Sequence, residues 1–305
     1  RRGPPPGAAA SSMPNTGGSN ARRCRRRVEW WAGTGQWRDR HGRTAIRPAR
    51  RLFRPPPDDG HRRMIEPSGS RDADVIPTLP RPRLRVRGGG SFPVHRIYCV
   101  GRNFADHARE MGAAVAASPA ERGSPVFFMK PADAVCSAES IPYPTATNDL
   151  HHEVELVVAL GADAPPGVLA PEQAQALVFG YSVGLDLTRR DLQAAAKAKG
   201  LPWDTAKGFD HSAPVGELVP AAQAGSLEPR LLELKVNGEL RQRAPLSDLI
   251  WNVPEILHEL SKLYALRAGD LVFMGTPAGV AALQPGDRFE ASLEGIARLH
   301  GRIDA

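Results

Sequence analysis

One run constrains the fold of this chain more than any other: Leu150-His151-His152-Glu153-Val154-Glu155-Leu156-Val157-Val158-Ala159-Leu160. It is β-branched, apolar and alternating, which reads as a strand. Residues two apart in a strand share a face, so Glu153 and Glu155 point one way, with Val154 and Leu156 on the other side. Two carboxylates side by side repel unless positive charge lies between them. A divalent cation resolves the conflict, and hard oxygen ligands suit Mg²⁺, Mn²⁺ or Ca²⁺. By itself a Glu-x-Glu pair is most often a solvated strand face. Asp186 tips the balance, because Val183-Gly184-Leu185-Asp186-Leu187 is an apolar run in which an unpaired acid is expensive to bury. Three acids on two strands predict an open metal site. His151 shares the face of the two glutamates; for it and for His152 a ligating or orienting role and a satisfied structural role stand level.

The 305 residues allow one large domain or two small ones, and 41% hydrophobic residues can build a substantial core. The overall charge of +7 conceals two opposite parts. Residues 1–90 hold 21 Arg, no Lys and 7 acids, whereas the remainder holds 19 basic and 26 acidic residues. Residues 1–72 are rich in Arg, Pro, Gly and Ser without helical or strand period, and are expected to be a disordered leader. Arg22-Arg23-Cys24-Arg25-Arg26-Arg27 has the composition of a nucleic-acid or anionic-surface patch, but nucleic-acid binding is disfavoured as the main function. No apolar segment follows the paired arginines, which argues against an export signal. The lack of Lys also raises translation from a misplaced start, with Met64 as the true initiator. The catalytic domain is then expected over 73–305. Cys24, Cys99 and Cys136 are odd in number and far apart, so a reducing cytoplasm is the default. No apolar run approaches the ~20 residues that span a bilayer.

Beyond the leader, strands are predicted over Phe92 to Val100, Pro125 to Lys130, the two acidic runs, Leu231 to Val236, Glu239 to Arg243, Leu271 to Met274, Arg288 to Leu293 and Ala297 to Ile303. Asn237-Gly238 marks a tight hairpin. A short helix is expected from Phe104 to Met111. A second helix has Thr188 as its N-cap, Asp191 three residues on, and Gly200 and Pro202 to end it. A third begins at Asn252 with Glu255 in capping-box position, and its apolar stripe is Ile256, Leu257, Leu260 and Leu263. Strands outnumber helices without βαβ alternation. The fold class is therefore α+β, mainly β, with a few short helices.

Other residues carry chemistry only in combination. His107 and Glu110, three apart on a helix, are neighbours; a carboxylate beside an imidazole fixes its tautomer and raises its basicity, making a general base for water. A surface His-Glu pair is the commoner outcome of that spacing. Lys207 in a mixed apolar loop can stabilise an oxyanion, and Arg102 can clamp a carboxylate bidentately.

The motifs occur in one order. They begin with Val100-Gly101-Arg102-Asn103-Phe104-Ala105-Asp106-His107, Phe128-Met129-Lys130-Pro131 and His152-Glu153-Val154-Glu155-Leu156. Asp186-Leu187-Thr188-Arg189-Arg190-Asp191-Leu192-Gln193, Ala206-Lys207-Gly208-Phe209-Asp210, Val236-Asn237-Gly238 and Met274-Gly275-Thr276-Pro277 follow. Together they resemble the fumarylacetoacetate hydrolase family over about residues 92–303, and within it the bacterial fumarylpyruvate hydrolases and short acylpyruvases. The resemblance implies a mixed β-roll, a homodimer, and Mg²⁺ or Mn²⁺ held by Glu153, Glu155 and Asp186. It implies that His107 and Glu110 activate water and that Lys207 and Gln193 surround the substrate. Thr276 would stand beside the substrate carboxylate, with Arg102 as a further substrate contact. The activity implied is hydrolysis of the C–C bond of a 2,4-dioxo acid to pyruvate and a carboxylic acid such as fumarate, in aromatic-compound degradation. Oxaloacetate decarboxylation or keto–enol isomerisation of a 2-oxo acid is the alternative on the same site.

Overall fold

The computed structural model describes residues 74–305 apart from 111, 113–120 and 138. The readings of the leader, of its arginine cluster and of Met64 lie outside the described residues. Residues 74–305 form one compact unit.

Two mixed sheets dominate it, one of six strands and one of five. Their strands in chain order are β1 (Ile97–Gly101), β2 (Val126–Lys130), β3 (Ser140–Pro142), β4 (Val154–Leu160), β5 (Val178–Leu185) and β6 (Val219–Pro220). There follow β7 (Leu231–Val236), β8 (Glu239–Pro245), β9 (Leu271–Phe273), β10 (Arg288–Leu293) and β11 (Ala297–Asp304). The six-stranded sheet runs β6-β5-β4-β9-β1-β2, antiparallel except between β9 and β1. The five-stranded sheet runs β8-β7-β10-β11-β3, antiparallel except between β11 and β3. Neither sheet closes on itself. The mainly β class predicted from the strand pattern is the one observed.

Strand alternation explains why β4 is buried along its whole length. Val154, Leu156, Val158 and Leu160 face the large core shared with β7, β10 and helix α4 (Val253–Ser261). Val157 and Ala159 face a smaller apolar cluster on the opposite side, built from Leu84, Phe92, Ile97, Cys99, Val215 and Phe273. Both faces are covered, so acids on this strand have no bulk water to turn to. Helices α1 (Ala105–Glu110), α2 (Arg190–Lys199) and α3 (Asp204–Lys207) carry much of the remaining chemistry.

Most local expectations are met. Asn237-Gly238 joins β7 to β8 as a hairpin. Asn252 accepts from the Glu255 N–H at 3.0 Å, and its own N–H donates to the Glu255 carboxylate at 2.9 Å, closing the capping box. Ile256, Leu257 and Leu260 are buried, but Leu263 lies beyond the end of α4 and is 63% exposed. Three further expectations fail. The run from Leu150 to Leu160 is not one strand: Leu150–His151 pairs separately, and His152 and Glu153 lie between it and β4. Thr188 does not cap α2: it pairs as a strand with His151, its hydroxyl donates to the Asp186 carbonyl, and Arg189 takes the cap position without a side-chain bond. The run from Phe92 to Val100 is not continuous. It breaks after Pro93, where His95 and Arg96 turn to the buried carboxylate of Asp270.

Candidate metal centre and active site

Glu153 directly precedes β4, and Glu155 is its second residue, on the face of the smaller cluster. Asp186 follows β5 directly, and its N–H donates to the Glu153 carbonyl at 2.8 Å, which ties the two acid-bearing segments together. Glu155 lies opposite Gly184 in the ladder and accepts a 2.7 Å bond from the Gly275 N–H. One oxygen from each of Glu153, Glu155 and Asp186 lies within 4.8 Å of the others, and all three residues are buried.

Cations gather around two of these acids. Lys207, the last residue of α3, places Nζ 2.7 Å from Glu153 and 2.6 Å from Asp186. Arg190, at the start of α2, pairs with the other Glu153 oxygen at 2.5 Å. The buried ammonium of Lys130, at the end of β2, lies 2.7 Å from Asp186 Oδ1 and donates to the carbonyls of Leu187 and Lys207. Burial works against ionised Glu153, but Lys207 and Arg190 outweigh it and hold its carboxyl far below the usual range. Burial likewise opposes the Lys207 charge, and Asp186 and Glu153 overcome it, so its ammonium is held more firmly than usual. Glu155 has no such partner. Burial, then Asp186 and Glu153, push its carboxyl well above the usual range.

This donor set fits a divalent ion. Glu155 lacks a cation among the described residues, and Asp186 Oδ1, although close to Lys130, has no hydrogen bond of good geometry. Three carboxylates are hard ligands of the kind that hold Mg²⁺, Mn²⁺ or Ca²⁺. The histidines beside them turn elsewhere. His151 meets Asp149 at 2.8 Å, and buried His152 meets Gln242 at 2.9 Å.

The acids line a polar cavity of about 30 Å³, which suits an ion or a water molecule. His107 opens onto it from α1, with Nδ1 3.1 Å from Glu110. Glu110 in turn accepts from the Gly279 N–H at 3.2 Å. Arg102, Gln193, Lys207 and Thr276 also line it. Every site residue expected from the sequence therefore lines this cavity, except Glu110, which touches it through His107. Gln193 is buried and accepts from Arg190 at 2.6 Å. Sequence reasoning gave no role to Lys130, Arg190 or Gln242. Lys130 and Arg190 lay within quoted motifs, but a single cation has no periodic signature. A larger open basin of about 750 Å³ lies against the outer face of the five-stranded sheet, where Lys235, Arg288, Glu290 and Arg298 mix their charges. It gathers no comparable buried acids.

Residues 96–304 match the family described as fumarylacetoacetate (FAA) hydrolase C-terminal. The chain belongs to the fumarylacetoacetate hydrolase family. Among solved members, the fumarylpyruvate hydrolase of Pseudomonas aeruginosa in complex with Mn²⁺ and pyruvate is 44% identical; the match covers 76% of this chain and 99% of that one, with a TM-score of 0.71. The oxaloacetate tautomerase YcgM of Escherichia coli K12 is 41% identical, over 67% of this chain and 90% of its own length. The human mitochondrial oxaloacetate tautomerase FAHD1 is also 41% identical, over 68% of this chain and 91% of its own length. These fumarylacetoacetate hydrolase family members are enzymes of hydrolase and tautomerase type. Among the described residues no helix is long and apolar enough to cross a membrane.

Proposed function

We propose that this protein hydrolyses the C3–C4 bond of an acylpyruvate, a 2,4-dioxo acid of the fumarylpyruvate kind, to pyruvate and a carboxylic acid, in the degradation of aromatic compounds. The observation that carries the reading is the His107–Glu110 pair opening onto the same cavity as Glu153, Glu155 and Asp186. Those three carboxylates would hold Mg²⁺ or Mn²⁺, which supplies Lewis-acid stabilisation of negative charge on a 2-oxo acid. Glu110 holds Nδ1 of His107 and leaves Nε2 to take a proton from water. The hydroxide so formed attacks the C4 carbonyl. Lys207 carries three N–H donors; two point to Glu153 and Asp186, and the third is available to the new oxyanion. Cleavage of C3–C4 releases the acid and the enolate of pyruvate, which takes up a proton at C3. Arg102 and Thr276 bind the carboxylate of the pyruvate part. A groove of about 410 Å³ shares Phe128, Trp203 and Lys207 with the cavity and gives room for the acyl group.

The tautomerase relatives favour a second reading, keto–enol exchange of oxaloacetate on the same acids. That reaction consumes no water and needs no acyl groove. Incubation with Mn²⁺ and a panel of fumarylpyruvate, acetylpyruvate and oxaloacetate, with products followed by NMR, separates the two. The expected result is pyruvate plus one carboxylic acid, and a loss in kcat of at least ~10-fold in His107→Ala at unchanged Mn²⁺ affinity. Accelerated exchange of oxaloacetate without cleavage of any dioxo acid would overturn the hydrolase reading.

A further inference from the structure

Gln242 is a glutamine on β8, 1% exposed, that reaches out of the five-stranded sheet to the site. Its Oε1 accepts from the Val154 N–H at 3.0 Å, and its Nε2 donates to the Pro277 carbonyl at 2.8 Å. A backbone N–H only donates and a carbonyl only accepts, so these two bonds set the amide orientation without ambiguity. Two consequences follow from that orientation. Nδ1 of His152, 2.9 Å from Oε1, carries the imidazole proton. The second Nε2 hydrogen goes to Thr276 Oγ1 at 2.8 Å, which makes the hydroxyl an acceptor on that side.

The Thr276 hydroxyl proton then has to go elsewhere, and no acceptor takes it among the described residues. Thr276 is 2% exposed and lines the acid cavity. We infer that Gln242 is a positioning residue: by occupying the acceptor side of Thr276 it turns that hydroxyl into a dedicated hydrogen-bond donor for the carboxylate of a bound 2-oxo acid. A donor aimed at an ionised group makes the stronger, charge-assisted kind of bond. The same amide anchors Val154, next to Glu153 and Glu155, so donor and acids keep a common frame. The inference rests on the reading that a 2-oxo acid binds beside the three acids, with its carboxylate at Thr276 and its remainder toward the adjoining groove.

Glutamate at position 242 would invert the arrangement. A carboxylate offers no hydrogen to Thr276, so the hydroxyl would donate to it and turn its proton away from the cavity. The test is calorimetric titration of pyruvate into the Mn²⁺-loaded protein, for wild type, Gln242→Glu, Thr276→Val and the double variant. We expect Gln242→Glu and Thr276→Val each to weaken pyruvate binding by ~10-fold, as loss of a bond to a charged group implies. The double variant should lose no more than Thr276→Val alone, because Gln242 acts through Thr276. Mn²⁺ affinity, titrated without pyruvate, should stay within about twofold in all of them. If melting shows Gln242→Glu to be unfolded, Gln242→Met takes its place: it neither donates to Thr276 nor accepts from it, so the hydroxyl turns freely and pyruvate binding should weaken, by less than in Thr276→Val. Wild-type pyruvate affinity in the Gln242 variants, or losses that multiply in the double variant, would overturn the inference. A protein that shows the expected pattern yet cleaves no dioxo acid would refute the proposed reaction and still support Gln242 as the residue that orients Thr276.

Discussion

Replacing Glu155 by Gln should stabilise the ion-free protein and abolish its response to divalent metal. Gln keeps an oxygen for the Gly275 N–H but removes a buried charge that has no cation of its own. Ligand oxygens of Glu153 and Asp186 lie within 4.8 Å of one on Glu155. At that distance and an effective dielectric of about 20, each like-charge pair costs about 3 kcal/mol. Lys207 offsets part of this repulsion, so a net gain of about 1–3 kcal/mol is expected at alkaline pH. For a domain of this size that raises Tm by about 2–12 °C. The sign with pH follows from the upward shift of Glu155. Its contribution is intact below the ordinary carboxylate value of about 4.3 and is lost as pH rises through the raised folded value. The advantage of the variant should therefore grow with pH. Glu153 is shifted the opposite way, so its contribution is present above the ordinary range and lost only in acid. It is common to both proteins and cancels to first order. Excess Mn²⁺ should reverse the order, since binding at about 1,000 times Kd adds about 4.1 kcal/mol to wild type alone. Thermal melts in EDTA and in Mn²⁺ between pH 6 and 9 measure all of this. A Glu155→Gln protein that melts at or below wild type in EDTA at pH 8, or that Mn²⁺ still stabilises, would refute the reasoning.

Two further substitutions separate the base from the fold. Gly279→Ala places a Cβ 2.2 Å from the Arg241 carbonyl at a residue with φ +96°, so the turn has to move and its N–H leaves Glu110. A loss of about 1–3 kcal/mol is expected in melts, together with a fall in kcat at unchanged Mn²⁺ affinity. Asn252→Ala removes the cap of α4, a helix that does not line the acid cavity; it should lower stability by about 1 kcal/mol and leave turnover per folded molecule at the wild-type level.

The elements that were legible in advance are those with local causes. The Asn237-Gly238 hairpin and the Asn252–Glu255 capping box depend on residues a few positions apart, and both formed as expected. Thr188 shows where such reasoning fails. Its cap signal was sound, but pairing with His151 and the bond to the Asp186 carbonyl took the residue out of cap geometry. Leu263 continued an apolar stripe that ended in fact with the helix. The Phe92 to Val100 run was broken by Asp270, an acid 175 positions from His95, which no local window contains.

The alternation along residues 150–160 anticipated Glu153 and Glu155 side by side, and their oxygens do gather with Asp186, although the strand itself begins only at Val154. That Lys207 stands beside Glu153, 54 residues away, was not contained in any pattern, nor was the bond from the Gly279 N–H to Glu110 across 169 residues. Those meetings depend on sheet order and on where loops return. A lone cation, an amide or a backbone N–H carries no periodicity by which to foresee them. The residue types able to do the chemistry were written in the chain; their charge balance, and the direction in which each proton points, came from packing distant segments around one small polar cavity.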